Sequence, residues 1–295
     1  MTTAIEYALM AGRAYISTRD KINWFPVPEG WLDYAHVPNN PDYPQFTGAD
    51  GFEAVSFQNI ASPNEIVISY AGTYDKDITG DIAANVGLVL GTGSAQLLQA
   101  VEYYLQIKAV NPGATITLTG HSLGGGLAAL VGVFFGVQAT TFDQAPFAQT
   151  ALFGAPSLLA DLAGKLDGSG NRVYSDAALA PLSGYIAQKE VFGVPTTFIP
   201  NTALVSNIVV QGEMLSVPPG NIPGRIGTTI ESISNSATGA SAGDLHAQAL
   251  LAAFLQSRQT AATGKALNDV TVKLQTRAAT INSKAANDAE GRISA

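Results

Sequence analysis

Apolar positions along the chain follow two periods, and the way these alternate predicts the architecture. Residues 51–59 (GFEAVSFQN) and 65–73 (EIVISYAGT) are β-rich runs separated by the turn signal ASPN, which predicts two adjacent strands. From Ser94 to Val110 the residues Leu97, Leu98, Val101, Tyr104 and Leu105 recur at the spacing of one helix face, and Asn111-Pro112-Gly113 stops the run. ATITLTG (114–120) then reads as a short buried strand, and GGGLAALVGVFF (124–135) as a helix too apolar to be exposed. ATTFDQAPF (139–147) and TALFGAPS (150–157) read as strand, turn, strand. Ser206–Val210 is a later strand, residues 217–243 a loop crowded with Pro, Gly, Ser and Thr, and a helix runs from Asp244 with Leu245, Leu250, Leu251, Phe254 and Leu255 on its buried face.

Ahead of this alternation, Ile5, Ala8, Leu9 and Gly12 suggest a buried helix. Residues 24–51, with Trp24, Phe25, Trp31, Tyr34, Tyr43 and Phe46 among Pro, Asn, Asp and Gly, read as a long ordered loop whose rings pack on the core. After Thr260 the chain turns polar and Ala-rich, yet Leu267, Val270, Leu274 and Ile281 keep near-helical spacing, so a docked or partner-seeking helical tail is expected. The whole predicts an α/β fold with a mostly parallel central sheet and helices on both faces, its active site at the carboxyl ends of the strands. One domain over residues 1–295 is expected: a core of about 50–255, an N-terminal helix and aromatic loop over 1–50, and the tail over about 260–295.

Composition narrows the function. A hydrophobic fraction of 46% supports a folded core. The net charge of -8 argues against nucleic acid, which is bound through Lys and Arg, and against an anionic membrane surface. With no cysteine there is neither a disulfide framework nor a thiol nucleophile. Glu6 and Arg13 interrupt the apolar N-terminus, so it lacks the form of a secretory signal, and no apolar run is long enough to span a bilayer. Secretion by a route without an N-terminal signal peptide is expected, with the cytoplasm as the alternative.

Chemistry enters at TLTGHSLGGGLAAL (117–130), where Ser122 stands between Gly120 and Gly124. A buried strand before it and an apolar helix after it put the serine at a sharp, strained turn with its hydroxyl exposed. A serine needs a base. Of the three histidines, His121 adjoins the serine and points away from it, and His36 precedes it, which leaves His246. The acid that orients the histidine should follow a downstream strand: Glu213, after the last clear strand, is the first candidate and Asp143, after an earlier one, the alternative. Asp244 reads as a helix cap. For the oxyanion, the Leu123 N–H is one donor and Thr73, in SYAGTYD, the other. Asp75, Asp77, Thr79 and Gly80 partly imitate a calcium loop, but its closing position is Val86, so a solvated acidic turn is expected and no metal or other cofactor.

These residues resemble the class 3 lipase family of α/β-hydrolases. The resemblance rests on SYAGT, on ITLTGHSLGGGLAAL and on NIVVQGEMLS, and covers roughly residues 50–255. More narrowly, GFEAV, HSLGGGLA and FDQAPF resemble the catalytic portions of bacterial lipases that carry glycine-rich calcium-binding repeats, and no such repeat occurs in this sequence. Family members usually place Asp where this chain has Glu213, and Gly where it has Asp143. The resemblance implies cofactor-free hydrolysis of fatty-acid esters at a lipid-water interface, as a triacylglycerol lipase acting through an acyl-serine. Alternatives are a phospholipase A, a short-chain esterase, or a non-catalytic lipid- or partner-binding module. It also suggests Ile82 to Leu90 as a lid and residues 158–200 as a shaper of the acyl pocket.

Overall fold

The computed structural model describes residues 2–16, 24–37, 52–72, 82–191, 194–195, 198–216, 224–233 and 241–263. In chain order its elements are α1 (Ala4–Arg13), β1 (Trp31–Val37), β2 (Ala54–Asn59), β3 (Glu65–Tyr70), α2 (Ile82–Val110), β4 (Thr115–His121), α3 (Leu123–Phe135), β5 (Ala139–Phe142), α4 (Ala148–Phe153), α5 (Ala155–Gly164), α6 (Asp176–Lys189), β6 (Val205–Val210), β7 (Thr228–Ile233), α7 (Ala242–Leu245) and α8 (Gln248–Thr263). A two-residue antiparallel pairing joins 190–191 to 194–195.

The seven strands lie side by side in sequence order. β1, β2 and β3 pair antiparallel, and every pairing from β3 to β7 is parallel. Alternate residues of each strand serve opposite faces. On one face Ile66, Ile68, Tyr70 and Leu118 pack with Val101 of α2 and Leu127 of α3. On the other, Val67 and Phe57 pack with Met10 of α1, and Phe142, Ile208 and Val210 with Ala8, Leu251 and Leu255 of α1 and α8. A mostly parallel sheet with helices on both faces is the α/β-hydrolase arrangement. All thirteen residues of α3 are buried, which is why that segment carries no polar face. α1 starts at a capping box in which Thr3 and Glu6 each accept from the other's backbone N–H; such a cap contributes about 1 kcal/mol.

The structure departs from the sequence expectations at several places, among them the helix read from Asp244, which is two elements, α7 and α8, broken at 246–247. β1 lies inside the segment read as a loop, where Phe25 and Trp31 are buried but a register shift between Asp33 and Ala35 breaks the period-two alternation. β7 lies inside the second expected loop; as an edge strand it is largely exposed and has no apolar face to read. Residues 150–157 belong to α4 and α5 instead of forming a strand. α2 begins at Ile82 and not at Ser94; Gly87, Gly91 and Gly93 depress helix propensity in its first half and mask it. Ile82 to Leu90 is thus continuous with α2. The tail beyond Thr263, the rings of Tyr43 and Phe46, and the acidic run 75–80 fall outside the described residues. Among the described residues no helix is long and apolar enough to cross a membrane.

Candidate active site

β4 hands over to α3 at a single residue. Ser122 has φ 58° and ψ −124°, a conformation that a residue with a side chain holds only when its surroundings impose it. Here the surroundings are backbone. Ser122 N–H donates to the Phe142 carbonyl at 3.0 Å, while the Ser122 carbonyl accepts from Gly126 at 3.1 Å and Ala145 at 2.9 Å. The turn needs both flanking glycines: a Cβ on Gly124 would stand 2.1 Å from the Tyr70 carbonyl oxygen, and one on Gly120 2.4 Å from the Gly124 backbone. The serine hydroxyl therefore rises from the carboxyl end of a central parallel strand, at the positive end of α3.

Ser122 Oγ lies 2.8 Å from His246 Nε2, and His246 Nδ1 lies 2.7 Å from Glu213 Oε2. An ionised carboxylate only accepts, so Nδ1 carries the ring proton and donates it to Glu213. Nε2 then offers its lone pair to the serine hydroxyl, which donates. His246 closes α7, its N–H bonded back to the Ala242 carbonyl at 3.1 Å. Asp244, read as the cap of that helix, instead stands at its third position: Ser241 is the cap, and the Asp244 carboxylate accepts from the Ser241 N–H at 2.9 Å.

Glu213 follows β6 and is fully buried. Its Oε2 also accepts the Leu215 N–H at 2.8 Å, while Oε1 accepts from Arg225 Nη2 at 2.6 Å and from the Ser216 hydroxyl at 2.5 Å. Burial opposes its ionisation. The bond and charge of His246, with the donations from Ser216 and Leu215, outweigh burial and hold this carboxyl below the usual range.

Asp143, the other candidate acid, directly follows β5 at φ 43° and is fully buried. Its Oδ1 accepts the Val210 N–H at 2.8 Å. Its Oδ2 has no hydrogen bond among the described residues and points to His121, with 4.0 Å to Nε2. The two carboxyls thus occupy different stations, Glu213 bonded to His246 and Asp143 behind His121. Burial, reinforced by the Glu213 charge, pushes Asp143 well above the ordinary carboxylate range.

That shift has a measurable sign. With the folded pKa raised, the folded state binds the proton more tightly than the unfolded chain, so stability is lost as pH climbs above about 4, the unfolded value for Asp. Asparagine carries no such penalty and tolerates a positive φ. The stability of Asp143→Asn relative to wild type is therefore expected to improve from pH 4 to pH 8 in thermal melts. Parallel pH profiles for the two proteins would show that Asp143 is charged when folded.

The His121 ring lies against the His246 ring with centroids 4.7 Å apart, and the Tyr15 hydroxyl sits 3.4 Å from His121 Nδ1. Leu123 directly follows the serine; a Cβ on Gly72 would lie 3.5 Å from its nitrogen, so the chain leaving β3 passes beside that N–H. Thr73, the other expected oxyanion donor, lies just outside the described residues, as do Asp75, Asp77, Thr79 and Gly80. His121, Asp143 and His246 bring potential metal-binding atoms within 4.8 Å of one another. Both His246 nitrogens are taken by Ser122 and Glu213, so the arrangement fits a proton relay and not a metal centre.

Sequence reasoning missed Arg225, Ser216 and Tyr15. Arg225 has a signal in hindsight: it is the one Lys or Arg between Val217 and Gly243. Ser216 has none in a chain so rich in serine.

A family profile described as phospholipase-like, the Tle-like phospholipase domain, matches residues 6–273. The extracellular phospholipase A1 of Serratia liquefaciens is 37% identical over 95 residues, 32% of this chain and 28% of that protein. The lipase-designated atg15 protein of Penicillium rubens is 42% identical over 59 residues, 20% of this chain and 9% of that one. The matches therefore span less than a third of each relative. Among solved structures, the chain is similar to the Lip2 lipase of Yarrowia lipolytica, with 15% identity and a TM-score of 0.39 over 81% of this chain and 80% of that one.

Proposed function

The chain belongs to the Tle-like phospholipase domain family of lipase-type hydrolases, and on that premise we propose that it cleaves fatty-acyl carboxylic esters of phospholipids through an acyl-serine intermediate. One observation carries the reading: the unbroken relay from Ser122 through His246 to Glu213, with links of 2.8 and 2.7 Å. Ser122 Oγ attacks the ester carbonyl while His246 Nε2 takes its proton, and Glu213 stabilises the imidazolium that forms. The oxyanion is held by the Leu123 N–H, with Thr73 as its expected companion. His246 then returns the proton to the leaving alkoxide, which departs as the lysophospholipid. Water attacks the acyl-serine by the same relay, releasing the fatty acid and restoring the serine. The balance is one ester and one water giving one acid and one alcohol, with no cofactor.

Phospholipid stands first because the family description and the Serratia relative both name it. Triacylglycerol is the second reading, favoured by the lipase designation of the Penicillium relative. Fatty-acid release should be measured from phosphatidylcholine vesicles and from triacylglycerol emulsion. Faster release from the vesicles is expected. Equal or faster release from the emulsion would move the substrate to neutral lipid, and no release from any ester by folded protein would overturn the hydrolase reading.

A further inference from the structure

Two buried carboxyls share this site, and only one of them touches the histidine. Facing Glu213 are His246 from the end of α7, Ser216 from its own loop, Arg225 from the segment before β7, and Asp143 from the end of β5. His121, from β4, faces Asp143. Arg225 is the lone permanent cation in this set.

The guanidinium is itself fixed at several points. Nη2 donates to Glu213 Oε1 at 2.6 Å, Nη1 to the Ser216 hydroxyl at 3.2 Å, and Nε to the Gln144 carbonyl at 2.9 Å. The chain next to it is held equally firmly. Gln144 Oε1 accepts the Ile226 N–H at 2.7 Å, and the side-chain amides of Gln144 and Asn207 both donate to the Ile226 carbonyl, at 3.2 and 2.9 Å. Gln144, just past the end of β5, and Asn207, on β6, are buried and bonded to each other beside the strands that deliver Asp143 and Glu213.

Resting on the triad reading above, we propose that Arg225 is a positioning residue of the relay: it anchors the far oxygen of Glu213 so that the near one faces His246. Three features support this. The Arg225 contact uses the oxygen that His246 does not, so it orients the carboxylate without competing for it. The guanidinium is itself held by the Gln144 carbonyl and bonded to the Ser216 hydroxyl, so it presents Glu213 with a fixed donor. The Glu213 side chain spans from the guanidinium to the imidazole, accepting from one through each carboxylate oxygen. Arginine suits the task because its planar fork binds Glu213, Ser216 and Gln144 at once, which a lysine ammonium cannot do in that geometry.

The test compares wild type, Arg225→Gln, Arg225→Lys and Ser216→Ala on a soluble p-nitrophenyl ester, with melting temperatures and with Ser122→Ala as reference. Arg225→Gln is expected to lower kcat on the order of 10- to 100-fold, the range for losing a group that orients a functional ligand, with KM nearly unchanged. Removing a cation favours proton binding nearby, so the acid limb of the kcat profile should move to higher pH. Arg225→Lys keeps the charge and should return that limb to its wild-type position while kcat stays reduced. Ser216→Ala, which removes another donor to the same oxygen, should lower kcat more mildly. If Arg225→Gln lowers the melting temperature but leaves kcat and the acid limb at wild-type values, Arg225 is structural and the proposal fails. Should the glutamine variant not fold, an unshifted rate in both Arg225→Lys and Ser216→Ala overturns it equally. An active Ser122→Ala would instead bring down the triad reading, independently of how Arg225 behaves.

Discussion

Ser122→Ala is expected to abolish ester hydrolysis, with kcat falling by a factor on the order of 10⁴ to 10⁶ while the protein keeps its fold. The size follows from what is lost: without Oγ no acyl-enzyme forms, and only the bound geometry and oxyanion donors remain to assist direct attack by water. The fold should survive because every contact that fixes residue 122 in its φ 58° conformation is made by backbone: its own N–H and carbonyl with Phe142, Gly126 and Ala145. Residual hydrolysis and a melting curve on the same preparation check both halves. A folded alanine variant with wild-type turnover would show that the reacting group lies elsewhere.

Glu213→Gln is expected to cost on the order of 10³- to 10⁴-fold in kcat, close to the effect of amidating a triad acid elsewhere, whereas Asp143→Asn should cost little. The reason lies in the far oxygen. Arg225 and Ser216 both donate to Oε1, so a glutamine turns its carbonyl toward them and its NH₂ toward His246. Facing a donor, Nδ1 must present its lone pair, which moves the ring proton to Nε2, against Ser122. In that tautomer the imidazole cannot accept the serine proton. Asp143 makes no such contact; its bonded oxygen holds the Val210 N–H, which the amide oxygen of asparagine also accepts. Steady-state kinetics of the two variants beside wild type decide the matter. A large loss in Asp143→Asn with little in Glu213→Gln would transfer the acid to β5.

The serine was legible in the sequence because its signal is local. Gly120, Gly124, a β-rich run before and an apolar run after are all within one short stretch, and steric necessity ties them together. The histidine was legible by scarcity, there being three to choose from. The choice between two acids was not local: it depends on how β5 and β6 lie beside each other, and residues 143 and 213 both follow strands that end on the same edge. Arg225 was invisible for the same reason, since its partners are Gln144 and Glu213, far away in sequence. The missed strands failed differently. β1 carries a bulge that disrupts its alternation, and β7 is an exposed edge where Thr, Glu and Ser leave no apolar period to detect.

The bond between Ser122 and His246 joins residues 124 apart in the chain, and Gln248 reaches still further, donating to the Ala8 carbonyl at 2.7 Å across 240 residues. A ribosome adding about 5–20 residues per second delivers the base roughly 6–25 s after the nucleophile. Through that interval the nascent chain holds Ser122 without the histidine that accepts its proton. The Ser122–His246–Glu213 relay therefore assembles only once the second half of the chain has folded onto the first.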